Sequence, residues 1–195
     1  MNRRGTGWRA RRLSRWFVPA LAPATALAVS APAHAGTVVH TNGFEGRQLD
    51  FWDRQTGGDG NTGFELGLGT ANSGQNNGWL YASQGWAREG TWAAINGTSA
   101  NSVCSARVHA RPFQDLEFAL RIWDARGNKL ADATTWLTAN GRYQAVSTAT
   151  WSPWGYTNVF AEAVIGSYGA AKTVRVDDLT VQCGTDSSPQ RASRH

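Results

Sequence analysis

Apolar and polar residues alternate most regularly at Leu116, Phe118, Leu120 and Ile122, which interleave with Glu117, Ala119, Arg121 and Trp123. A period of two predicts a strand with one face buried. The strand ends in Asp124-Ala125-Arg126-Gly127-Asn128, where Gly127 or Asn128 can take the left-handed conformation of a hairpin loop, and Lys129 to Thr138 returns as its partner. Asn140-Gly141 turns the chain into a strand over 142–150, and 156–165 and 173–183 complete the series. Upstream, 37–40, 79–82, 92–95 and 103–110 read as short strands, with Gly85 to Gly90 as a turn between the second and third. Residues 57–78 are rich in Gly, Asn, Asp and Thr and read as loop, with 64–68 as a strand-like island. Strands separated by turn signals, without helical periodicity between them, predict an all-β antiparallel sandwich.

One strand breaks its own rhythm. Val174 and Val176 lie on one face, and Leu179, Val181 and Cys183 resume the alternation in the opposite phase. The slip falls on Asp177-Asp178 and predicts a β-bulge. Two carboxylates inside an apolar strand are costly unless a cation or an arginine meets them.

The net charge of +5 suggests a nucleic-acid partner until its distribution is considered. Arg3, Arg4, Arg9, Arg11, Arg12 and Arg15 carry six positive charges before residue 36, and without them the remainder stands at −1. No nucleic-acid partner is expected. The arginines open a secretory leader over 1–35, with an apolar run from Trp16 to Val29 and a small-x-small site at Ala33-His34-Ala35. That run is too short and too interrupted by Pro19 and Pro23 for a membrane span, so the chain is expected to be exported by the Sec or twin-arginine route and to act outside the cell as a monomer. In an oxidising compartment Cys104 and Cys183 are expected to form one disulfide, closing a loop of roughly 80 residues for about 4 kcal/mol of stabilisation. The domain is expected over 36–183, and 184–195, small, polar and basic, as a disordered tail.

Asn42-Gly43-Phe44-Glu45-Gly46 with Trp52 a few residues on, the Asp-x-x-Gly-Asn hairpin, and the closing Val174-x-Val176-Asp177-Asp178-Leu179-x-Val181 strand resemble the jelly-roll carbohydrate-binding modules of bacterial cellulases and xylanases, within the galactose-binding-like fold. The likeness covers roughly residues 38 to 183. It implies a structural calcium ion held by Glu45 and Asp177, with Asp178 as the alternative donor and backbone carbonyls completing the shell.

Sugar-binding modules use aromatic platforms, because pyranose C–H faces stack on flat rings while polar side chains read the hydroxyls. With Leu116, Phe118, Leu120 and Ile122 in the core, Arg121 and Trp123 face the other way, and the same alternation places Tyr143 and Glu162 with them on a concave sheet face. Trp79, Tyr81 and Trp86, or Trp151 and Trp154, offer alternative platforms at the sandwich edge, although most tryptophans of a small β-domain are structural. Trp52 and Trp92, in apolar contexts, are assigned to the core. His40 and His109 are the only histidines between the leader and the tail, and no nucleophile elbow or His-rich metal motif occurs. The reading is a secreted, non-catalytic protein that binds poly- or oligosaccharide. The alternative is an extracellular interaction protein of the same fold that binds protein or cell-envelope material.

Overall fold

The computed structural model describes residues 37–184, so the leader and the tail beyond Gly184 lie outside the described residues. The described chain is an antiparallel β-sandwich of nine strands: β1 (Thr37–Asn42), β2 (Trp52–Gly57), β3 (Asn61–Leu66), β4 (Asn76–Ala94), β5 (Cys104–Pro112), β6 (Leu116–Trp123), β7 (Lys129–Leu137), β8 (Gln144–Ser147) and β9 (Asn158–Gly184). A 3-10 helix over Gly46–Phe51 leads into β2. No helix among the described residues is long and apolar enough to cross a membrane.

Two strands serve both layers. In the first layer β2 pairs with the far half of β4, which pairs with the near half of β9, followed by β6 and β7. In the second, β3 pairs with the near half of β4, and the far half of β9 lies between β4 and β1 on one side and β5, then β8, on the other. The crossing is a bulge: Ala82 faces Lys172 but Gln84 faces Tyr168, so β9 carries extra residues where both strands change layer. Leu80, Val108, Phe118, Leu120, Ile165, Val174 and Val181 fill the space between the layers.

The structure replaces two expected breaks with continuous strand. Gly85 to Gly90 is not a turn but the middle of β4, and 156–165 and 173–183 belong to one strand. The glycines that suggested a turn are there for close approach: a Cβ on Gly85 would sit 2.0 Å from the Gly57 carbonyl oxygen, and one on Gly90 would sit 2.4 Å from the Phe160 ring. Within 57–78, Asn61–Leu66 forms β3. Cys104 faces Cys183 in register and the two form the disulfide, spanning 79 residues.

Candidate functional site

Residues directly opposite one another in an antiparallel pair point to the same face. The outer face of the first layer can therefore be read in rows. Trp123, Phe160 and Trp92 form the first; Arg121, Glu162, Gly90 and Asp53 the second; Ala119, Val164, Arg88 and Gln55 the third. A fourth row, one step on, holds Gly166, Trp86 and Gly57. The indole of Trp86 lies against Gly57, where a Cβ would come within 2.2 Å of Nε1. With Gly166 and Val164 as floor and Trp86, Tyr168 and Trp123 as walls, this face holds a groove of about 580 Å³. It adjoins a second hollow of about 420 Å³ lined by Trp92, Trp123, Phe160 and the 124–127 turn.

Glu162 lies beneath the groove, only 2% exposed. Trp123 Nε1 donates to its Oε1 at 2.9 Å, Arg88 Nη1 donates to its Oε2, and Arg121 Nη1 stands 3.9 Å from Oε1. Arg88 also lies 3.6 Å from Asp53 and packs over the Phe160 ring, and Phe160 meets Trp92 at a ring-centroid distance of 5.3 Å. A single carboxylate is thus bonded to the indole of Trp123 and the guanidinium of Arg88, with Arg121 within ion-pair range. The lip of the groove is stiff as well. Asp124 accepts the N–H groups of Arg126 and Asn128 and the Asn128 amide; burial works to raise its pKa, yet these bonds hold it at about 2.

The structure divides the sequence candidates. Trp123, Arg121 and Glu162 come together, joined by Trp86, Arg88 and Trp92. Trp92 is half exposed rather than in the core, because β4 turns it outward, opposite Phe160. Tyr143 is not on this face: its hydroxyl donates to the Thr70 carbonyl at 2.9 Å, and burial first, then the charge of Asp177, raises its pKa. Trp79 and Tyr81 face outward on the second layer, Trp79 lying over Gly63. Trp151 is buried, and Trp154 projects from a loop, 71% exposed. Trp52 is in the core as expected, stacked on Phe44 with its Nε1 bonded to Asn42.

The bulge lies where the phase slip placed it. Arg107 faces Thr180 but His109 faces Asp177, and Asp178, the extra residue, takes φ 51°. Asp177 Oδ2 accepts the N–H groups of Asn72 (2.7 Å) and Ser73 (3.1 Å), while Asp178 accepts the Asn72 amide and the Ser73 hydroxyl. Glu45 Oε1 accepts the N–H groups of Gln75 and Asn76. All three carboxylates therefore converge on one loop, and the arginine of this strand, Arg175, pairs with Glu65 instead. Burial first, and to a lesser degree the charge of Asp178, pushes Asp177 up to about 6.

As placed, this donor set does not fit a calcium ion. N–H groups and the Ser73 hydroxyl take the oxygens that a cation would need, and no cluster of three or more His, Cys, Asp or Glu among the described residues is arranged as a metal site. If these hydrogen bonds are the whole anchor, EDTA leaves the melting temperature unchanged; a fall restored by calcium would show that the ion is part of it.

No family model and no curated protein sequence matches the chain. Solved structures do match. TmCBM61 in complex with β-1,4-galactotriose aligns at TM-score 0.56 and 12% identity over 72% of this chain and 93% of its own. The CBM22-1 xylan-binding domain of Xyn10C from Paenibacillus barcinonensis aligns at 0.52 and 14% over 80% and 99%. The Stig cyclase Fisc from Fischerella sp. TAU aligns at 0.51 and 11% over 69% and 86%. At such identities the likeness is one of fold, and that fold serves both sugar-binding modules and a cyclase. The chain therefore has the jelly-roll β-sandwich architecture of carbohydrate-binding modules.

Proposed function

We propose that this is a secreted, non-catalytic protein that binds poly- or oligosaccharide in the groove on the outer face of the first layer. The observation that carries the reading is the placement of indole rings around a polar floor. Trp86 and Trp123 bracket the groove, Trp92 extends it, and Arg88, Arg121 and Gln55 supply hydrogen-bonding groups between them. Trp86 and Trp92 are six residues apart on β4, about 20 Å along an extended strand, enough for several sugar rings. Aromatic faces with interspersed polar groups suit pyranoses, which present C–H faces and hydroxyl edges.

Binding without catalysis is supported by the state of the groove's buried acid. A glycosidase needs two carboxyl groups free to move protons or attack. Both oxygens of Glu162 are already bonded, to Trp123 and Arg88, so the buried acid of the groove is free for neither role. Titration calorimetry with cello-, xylo- and galacto-oligosaccharides tests the proposal: one class is expected to bind with no release of reducing ends. Failure of all of them to bind would favour the interaction-protein alternative.

A further inference from the structure

We propose that the groove selects an uncharged glycan and that Glu162 is the residue that sets this preference; the proposal rests on the carbohydrate reading above. Two guanidinium groups in a sugar-sized groove would ordinarily favour acidic sugars, since arginine forms paired hydrogen bonds with carboxylates. Here neither is available for that. Arg88 is bonded to Glu162 and lies 3.6 Å from Asp53, and Arg121 lies 3.9 Å from both Glu162 and Asp132. The one nearby lysine, Lys129, is taken by Asp132 at 3.0 Å.

The side chains around the two hollows include Arg88 and Arg121 against Asp53, Glu117, Asp124 and Glu162. A uronate entering this field meets excess negative charge, and both cations that line the hollows, Arg88 and Arg121, already stand beside carboxylates. A neutral ring meets polar hydrogens and aromatic faces. Like-charge juxtaposition is an effective way to reject a wrong partner, and burial of Glu162 keeps its charge from being screened by solvent. Glu162 need not touch the sugar. It acts through Trp123, whose indole it orients, and through the arginines that it neutralises.

The test compares each neutral oligosaccharide with its uronate counterpart, galacto- with galacturono-oligosaccharide for example, by calorimetry on the whole protein. The wild type is expected to bind the neutral member about tenfold or more tightly than the uronate. Glu162→Gln keeps an acceptor for Trp123 but removes the buried negative charge, leaving Arg88 only Asp53 at 3.6 Å and Arg121 only Asp132 at 3.9 Å, and is expected to narrow that gap by about tenfold, chiefly by strengthening uronate binding. Equal losses for both ligands would mean that Glu162 is merely structural and would overturn the proposal. If Glu162→Gln does not fold, Asp53→Asn, which removes the more exposed carboxylate beside Arg88, should shift the preference the same way by a smaller factor; no shift counts against the proposal. Wild-type preference for the uronate would sink this proposal and leave the carbohydrate reading standing, whereas binding of neither member of any pair would sink both.

Discussion

Replacing Glu89 by Gln is expected to raise the stability of the protein by roughly 3 kcal/mol at pH 7 and to change it little at pH 5. Glu89 points inward from β4 and is fully buried. Thr62 Oγ1 donates to one carboxyl oxygen, and the other has no hydrogen-bond partner. Gly78 makes room for that second oxygen: a Cβ there would sit 2.0 Å from it and 2.7 Å from the Phe44 ring. Burial pushes the pKa up to about 8, against the smaller opposing effects of Thr62, the Arg54 charge and the Gly63 backbone. The folded protein therefore keeps a proton that the unfolded chain loses near pH 4.5. Between those values the unfolded state binds fewer protons, so stability falls as pH rises. Gln removes the dependence.

Other groups titrate in neighbouring windows. Asp177, raised to about 6, acts in the same direction below pH 6, and His40, lowered by burial, acts in the opposite direction below about pH 6.5. The difference between wild type and variant at each pH largely cancels both. Denaturant melts of the two proteins at pH 5, 6, 7 and 8 should separate progressively, and parallel curves would show that Glu89 is ionised in the folded state at every pH.

Trp123→Ala is expected to weaken oligosaccharide binding about a hundredfold while the protein still melts cooperatively. Truncating a central tryptophan of a binding surface commonly costs 2 kcal/mol or more. Here the ring belongs to both hollows, and its N–H is half of the link to Glu162. Trp123→Phe separates the two roles, because it keeps an aromatic face and loses the donor. If the ring alone matters, Phe recovers most of the affinity; if its orientation by Glu162 matters, Phe recovers little. Undiminished binding by the alanine variant would move the site off this face, with Trp79 and Tyr81 on the other layer as the next candidates.

The sandwich was legible because alternation reports which side of a strand is dry. On β6 it placed Arg121 and Trp123 opposite Phe118 and Leu120 correctly, and the phase slip at Asp177-Asp178 located the bulge. It failed where local composition resembles something else. Trp92-Ala93-Ala94-Ile95 carries no polar marker of phase and the polar residue before it, Thr91, is itself buried, so Trp92 read as core although β4 turns it outward. Gly85 and Gly90 read as turn residues because the ring and carbonyl that occupy the space of their missing side chains are remote in sequence. For the same reason Trp86, between those glycines, was placed at the sandwich edge rather than in the groove, and Arg88 was missed. Tyr143 was placed by alternation just outside β8, where the alternation no longer holds. Nothing local shows that Glu45, Asp177 and Asp178 would meet the same loop, since that depends on contacts about 30 and 105 residues apart.

The strand that serves both layers also fixes when folding can finish. β9 is preceded by every strand it joins, and it is the inner neighbour of β4 and β6 in one layer and of β1, β4 and β5 in the other. Before it emerges from the ribosome, β6 and β7 can form only a hairpin, β2 and β3 can pair only with β4, and Cys104 has no partner. A chain of such high contact order folds late and as a unit. Placing the shared strand after all its partners therefore delays the native state until nearly the whole sandwich has been made.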